Sequence, residues 1–171
     1  MDSTLLKEGL GPASTFDVVH GAVNILLEGF VSHPGLLEPY FLDCVETLLV
    51  PNLVRGSIET RRTMARALAL IFPQLPHSVQ SKLWSTFGES LSGIKIDERI
   101  GFAYAVGYVY SVCQRKTLLG DYQHPISWEE AQPVFMGLIG LVKGTNVTLQ
   151  RAGAESIGLM GRYREMPWSN E

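Results

Sequence analysis

Four segments of this chain share one pattern, a small residue followed three positions later by a large aliphatic one: Ala22/Ile25, Ala65/Leu68, Ala103/Val106 and Ala154/Ile157. A recurring unit constrains the fold strongly, because each copy can hide its apolar face only against its neighbours. Successive copies begin 43, 38 and 51 residues apart, a length that holds two helices and their turns. Apolar residues recur throughout at spacings of three and four, with no sustained apolar/polar alternation bounded by turn dipeptides. The chain is therefore predicted to be all-α, with about seven helices at 15–31, 36–50, 57–72, 77–92, 97–114, 127–143 and 147–164.

The predicted breaks fall at His33-Pro34, at Val50-Pro51, between Phe72 and Pro76, and from Gly120 to Pro125. Proline lacks an amide donor and pushes its predecessor out of helical geometry. Pro39 and Pro133 stand in or near the first two turns of their helices, where a proline is tolerated or makes a kink. The clearest start signal is Ser127-Trp-Glu-Glu130, a capping box in which the Ser127 hydroxyl and the Glu130 carboxylate satisfy each other's backbone amides. Paired in order, the segments make a single repeat region with hairpins at about 36–73, 77–116 and 127–164, and an orphan helix at 15–31 that has lost its first partner. The residue after each repeated aliphatic, Ala69, Gly107 or Gly158, is small enough to admit a neighbouring helix, and Ala103 and Ala154 are expected at close helix contacts.

The 171 residues suffice for one ordinary domain with its own core, and 18% charged residues with a mean hydropathy of +0.11 leave more apolar surface than one small globule would hide. This fits a slice of a longer repeat array. The longest uncharged run that could pass for a membrane span, Ile100–Gln114, falls short of the roughly 20 residues that a crossing helix requires, and the N-terminus has no signal-peptide pattern. A cytoplasmic or nuclear location is expected. Charge is zoned. The first 54 residues carry seven acids against one lysine, 55–116 nine bases against four acids, and the remainder six acids against four bases. Such zoning either matches a charged partner or reflects solvated helix faces.

Sites of chemistry are hard to assemble from these residues. Cys44 and Cys113 are far apart with no partner spacing, which points to reduced, packed thiols rather than a disulfide framework or zinc site. His20, His33, His77 and His124 form no close helical pair and flank no cysteine. Gly153–Gly158 has phosphate-loop glycine spacing, but Leu159-Met160 stands where Lys-Ser/Thr is required. Gly88-Glu-Ser90-Leu-Ser92 misses the second glycine of a nucleophile elbow. Asp97-Glu98 could be a carboxylate pair for acid/base work, yet adjacent residues leave a helix on different faces and suit its N-terminus. The aromatic run Phe102, Tyr104, Tyr108 and Tyr110 has apolar neighbours, as core residues do, rather than the basic ones of a base-stacking platform. No cofactor, metal or catalytic residue is expected.

Leu149–Tyr163, LQRAGAESIGLMGRY, resembles the second helix of a HEAT repeat, and Glu98–Tyr110 and Thr60–Phe72 are weaker copies. Pro39 and Pro133 resemble the proline that often sits early in that family's first helix. The resemblance implies an α-solenoid of HEAT-like hairpins. It also implies an inter-repeat ladder, for which Arg61, Arg99, Asp97 and Asn146 are candidates, while Gln150 departs from the pattern at the third rung. Binding would use the solvent-facing residues of the second helices, Arg62, Arg66, Arg151 and Glu155, on a concave face.

Gly101–Gly107, GFAYAVG, followed by GLIGLVKGTNVTLQRAGAESIGLMGR and the tail EMPWSNE, is similar to a stretch of the very large HEAT-repeat proteasome adaptors and scaffolds. Ile157, Gly158, Gly161, Arg162, Pro167, Ser169 and Glu171 carry that likeness over about 75 residues, and Ser111-Val112 departs from it. It implies a noncatalytic scaffold linking regulatory and core particles, with proteasome subunits and the parent chain's flanking repeats as partners. Other HEAT scaffolds, in nuclear transport, in chromosome organisation or focadhesin-like, remain open. So does a HEAT-like DNA glycosylase using Arg55, Arg61, Arg62 and Arg66. Against that enzyme, and against nucleic acid generally, stand the net charge of −3 and the acidic first third.

Overall fold

The computed structural model describes residues 41–162 of the chain, together with Gly21 and Glu28. Among the described residues the chain is helical, without strands. Helix α1 runs from Phe41 to Asn52 in three pieces: an α turn Phe41–Cys44, a π turn Val45–Leu49 and a last turn Val50–Asn52. It is followed by α2 (Ile58–Ile71), α3 (His77–Leu91), α4 (Ile96–Leu119), α5 (Trp128–Lys143) and α6 (Val147–Gly161). Six predicted segments thus fall wholly or partly within the described residues. The orphan helix at 15–31, with Ala22 and Ile25, lies outside them except for Gly21 and Glu28, which are both helical, and Pro39 lies outside too.

Two boundaries differ from expectation. The break predicted at Val50-Pro51 comes after Asn52, because the π turn pairs the Val50 N–H with the Val45 carbonyl and leaves Pro51 a place where no donor is required. Helix α4 continues five residues past 114, since no glycine or proline intervenes before Gly120. The start signals act locally. Ser57 Oγ accepts from the Thr60 N–H, Asn146 Oδ1 from the Leu149 N–H at 3.0 Å, and Ser127 and Glu130 form the full capping box. Pro133 is accommodated inside α5.

The hairpin order sets the packing. Helix α4 lies against α2 on one side and α6 on the other, while α3 packs on α4 and α5, α5 also packs on α6, and α1 packs on α2. Covered on several sides, α4 is apolar around most of its girth, as a central helix must be. Gly101 and Gly107 let it be central. A Cβ on Gly101 would run into the Leu53 carbonyl, and one on Gly107 would stand 2.6 Å from the Ser156 Cα. The core between the layers holds Phe72, Phe87, Tyr110, Met64, Leu138 and Met160, all fully buried. Trp84 of α3 lies 6.1 Å from the Tyr110 ring and donates its indole N–H to the Glu130 carbonyl of α5. Phe102 and Tyr104 are buried as well, and Cys44 and Cys113 are buried in the core without a disulfide.

The expected helix contact on α6 is corrected. Ala103 is fully buried, but Ala154 is exposed, and a Cβ added to Gly158 would meet nothing within 4 Å. The contact with α4 is made instead by Ser156, whose hydroxyl donates to the Ala103 carbonyl, while Gly153 approaches the Leu138 carbonyl of α5. Ala154 and Ser156 are two positions apart, about 200° around a helix, so they lie on nearly opposite faces.

Candidate protein-binding face

The solvent-facing residues of α2, α4 and α6 form three adjacent stripes. On α2 they are Arg62, Arg66 and Leu70; on α4 Tyr108, Val112 and Arg115; on α6 Arg151, Glu155 and Leu159. Each stripe advances by three or four residues, the spacing that keeps side chains on one helix face.

Arg62 and Glu155, separated by 93 positions, meet with Nη2 and Oε1 2.5 Å apart. They belong to helices that flank α4 on opposite sides, so the pair closes above the central helix and the three helices form a trough floored by α4. The Arg62 guanidinium lies 6.0 Å from the centroid of the Tyr104 ring. Partial burial works against the Arg62 charge, but the Tyr108 hydroxyl and Glu155 outweigh it and hold the guanidinium charged. Burial, then the Glu155 charge, pushes the Tyr104 phenol above its ordinary value. Tyr104 therefore keeps a neutral hydroxyl beneath the ion pair.

Four sequence-predicted residues, Arg62, Arg66, Arg151 and Glu155, thus lie on this face, and two of them touch. Arg151 is exposed one turn before Glu155. Arg66 reaches further along the trough, where it shares a groove of about 270 Å³ with Arg115 and Arg162. Sequence reasoning missed Tyr108 and Arg115 as parts of this face. Their signal was available in the i, i+4 and i, i+7 offsets from Tyr104 and Tyr108 along α4.

The proposed ladder residues divide. Arg61, almost wholly buried on α2, places Nη2 3.0 Å from Asp97 Oδ1 and Nη1 3.4 Å from the Asp97 carbonyl, joining α2 to the first turn of α4. Arg99 occupies the same register one repeat later but is not brought to Asn146. Asn146 Oδ1 caps α6, and the buried Arg99 Nε has no hydrogen-bond partner among the described residues. At the place on α6 corresponding to Asp97 stands Thr148, without a charge to offer.

A second hollow, of about 540 Å³, lies under the 120–127 segment and is lined by His77, His124, Tyr110 and Glu130. His124 accepts the Ile126 N–H at Nδ1 within the segment, and its ring lies against that of Tyr110 at a tilt of 45°, centroids 4.5 Å apart, which ties the segment to α4. Among the described residues no group of three or more His, Cys, Asp or Glu is arranged to hold a metal ion, and no helix is long and apolar enough to cross a membrane. No family model, curated protein or solved structure matches the chain.

Proposed function

We propose that the chain is a segment of a noncatalytic, HEAT-like α-solenoid scaffold that binds proteins through the α2–α4–α6 trough. One observation carries this reading. Ala103 and Gly107 of α4 receive Ser156 of α6, and the same small pair, Ala154 and Gly158, recurs 51 residues later on the outward face of α6. A face that is covered on one helix and presented again on the next is how a solenoid propagates. The Arg61–Asp97 link between α2 and α4 supports the same reading, as a contact between successive hairpins.

The likeness of 101–171 to the proteasome adaptors makes proteasome subunits the first partners to test, in the cytoplasm or nucleus. The full chain, immobilised and exposed to purified proteasome at low salt, is expected to retain it. The charge reversals Arg62→Glu and Arg66→Glu are expected to reduce retention. No retention at low salt overturns the proteasome partner and leaves another HEAT scaffold as the reading. Turnover of damaged bases in duplex DNA by the purified chain would overturn the noncatalytic reading in favour of a glycosylase.

A further inference from the structure

Where α2, α4 and α6 approach their C-terminal ends lies the groove of about 270 Å³ rimmed by Arg66, Arg115 and Arg162. Its floor is apolar, formed by Leu70, Val112 and Leu159, with the Ser111 and Tyr108 hydroxyls beside it. Among the described residues no carboxylate lines it. The nearest acid on the face, Glu155, already engages Arg62. Arg66 and Arg115 are exposed and make no ion pair among the described residues, so their charges face the groove uncompensated.

We propose that this groove binds an acidic peptide segment of a partner protein, with carboxylates on Arg66 and Arg115 and an aliphatic side chain between Leu70, Val112 and Leu159. The proposal rests on the protein-binding reading and names the chemistry of the partner. Guanidinium groups bind carboxylates by paired, parallel hydrogen bonds, which a flexible acidic segment can supply. An apolar floor between fixed cations selects a segment in which acids flank an aliphatic residue, since a purely acidic one would leave that floor wet. The volume admits one or two side chains and excludes a nucleic-acid duplex. A single strand would meet a floor of aliphatic carbons with only Tyr108 for stacking.

Fluorescence anisotropy with the full chain tests this. The probes are a short labelled Glu/Leu peptide, its Lys/Leu counterpart, an all-Glu peptide and a labelled single-stranded oligonucleotide. The Glu/Leu peptide is expected to bind most tightly and to weaken with added salt. Arg115→Glu should weaken it on the order of tenfold or more, equivalent to about 1.4 kcal/mol, while Arg115→Lys should keep much of the affinity. Arg115 is exposed, so neither variant threatens the fold, and circular dichroism verifies that. Binding unchanged by Arg115→Glu, equal binding of the Lys/Leu peptide, or preference for the oligonucleotide overturns the proposal. Loss of peptide binding with proteasome retention intact overturns the groove alone. Peptide binding without proteasome retention supports the groove and overturns only that partner.

Discussion

Replacing Gly107 and Gly158 by alanine, one at a time, should change stability in opposite directions, although the two glycines hold the same place in successive repeats. A Cβ on Gly107 would lie 2.5 Å from Ser156 Oγ, 2.6 Å from its Cα and 2.7 Å from its Cβ, whereas one on Gly158 meets nothing within 4 Å. Ordinary contact begins at 3.4 Å, and the obstructing Cα belongs to backbone that cannot rotate aside. Helices α4 and α6 must therefore separate, an overpacking cost of roughly 1–3 kcal/mol, with about 1 kcal/mol more if the Ser156 hydroxyl loses the Ala103 carbonyl. Alanine's better helix propensity returns about 1 kcal/mol at either site. The expected outcome is a net loss of about 1–3 kcal/mol for Gly107→Ala and a gain of up to about 1 kcal/mol for Gly158→Ala. Urea denaturation followed by circular dichroism reads both, and with a slope of about 1–3 kcal/mol per molar the midpoints should move apart by on the order of 1 M. Adding Ser156→Gly to Gly107→Ala removes two of the three obstructing atoms and should recover part of the loss. Two midpoints shifted equally in the same direction would refute the packing argument.

Three further outcomes follow from single contacts. Arg61→Ala should cost about 2–3 kcal/mol, because it removes a buried stem as well as a charge, while Asp97→Ala, at the exposed end of the pair, should cost about 1 kcal/mol; equal losses in denaturation would contradict the asymmetry of burial. Ser127→Ala should cost about 1 kcal/mol and speed hydrogen exchange at the Glu130 amide, and an unchanged exchange rate would mean that the capping box is not formed in solution. Burial pushes the Cys113 thiol up to about 12, against the opposing influence of the Tyr122 hydroxyl and Lys116, so the folded state keeps the thiol protonated while the unfolded chain ionises it near 9. That contribution is fully present below about pH 9 and is lost as pH rises toward 12, by about 1.4 kcal/mol per pH unit. Melting of the parent chain should thus steepen above about pH 9 relative to Cys113→Ala, and parallel profiles would argue against the buried thiol.

What could be read from the sequence was what each helix decides by itself. Periodicity and prolines located the described helices to within a few residues, and Ser127 with Glu130 announced its own cap. The end of α1 was illegible because a π turn answers to packing of Val45, Leu48 and Leu49 rather than to a local signal. Small residues misled for a similar reason. Ala103 and Ala154 occupy equivalent positions, but what an alanine touches depends on which helix comes next, and a repeat pattern gives the equivalence without the neighbour. Glu155 was legible as a solvent-facing residue of α6, but its meeting with Arg62 over Tyr104 depends on how three helices pack, which no single periodicity encodes.

The same distinction explains why the excess of positive charge between residues 55 and 116 does not become one basic surface. Arg55 donates to Asn52 Oδ1 at 2.9 Å, Arg61 is spent on Asp97, Arg62 on Glu155, and Lys95 lies 3.7 Å from Glu98. These links use the charges to hold turns and helices in register, each within a few ångströms and therefore little affected by the net count. A duplex would need a run of free cations at phosphate spacing, and these pairings break that run. Arg66 and Arg115 stay outside these pairings among the described residues. With no acid opposite among the described residues, they face an apolar floor. Of the nine bases between 55 and 116, Arg66 and Arg115 are thus gathered at one short groove whose size and chemistry suit a side chain or two of a peptide.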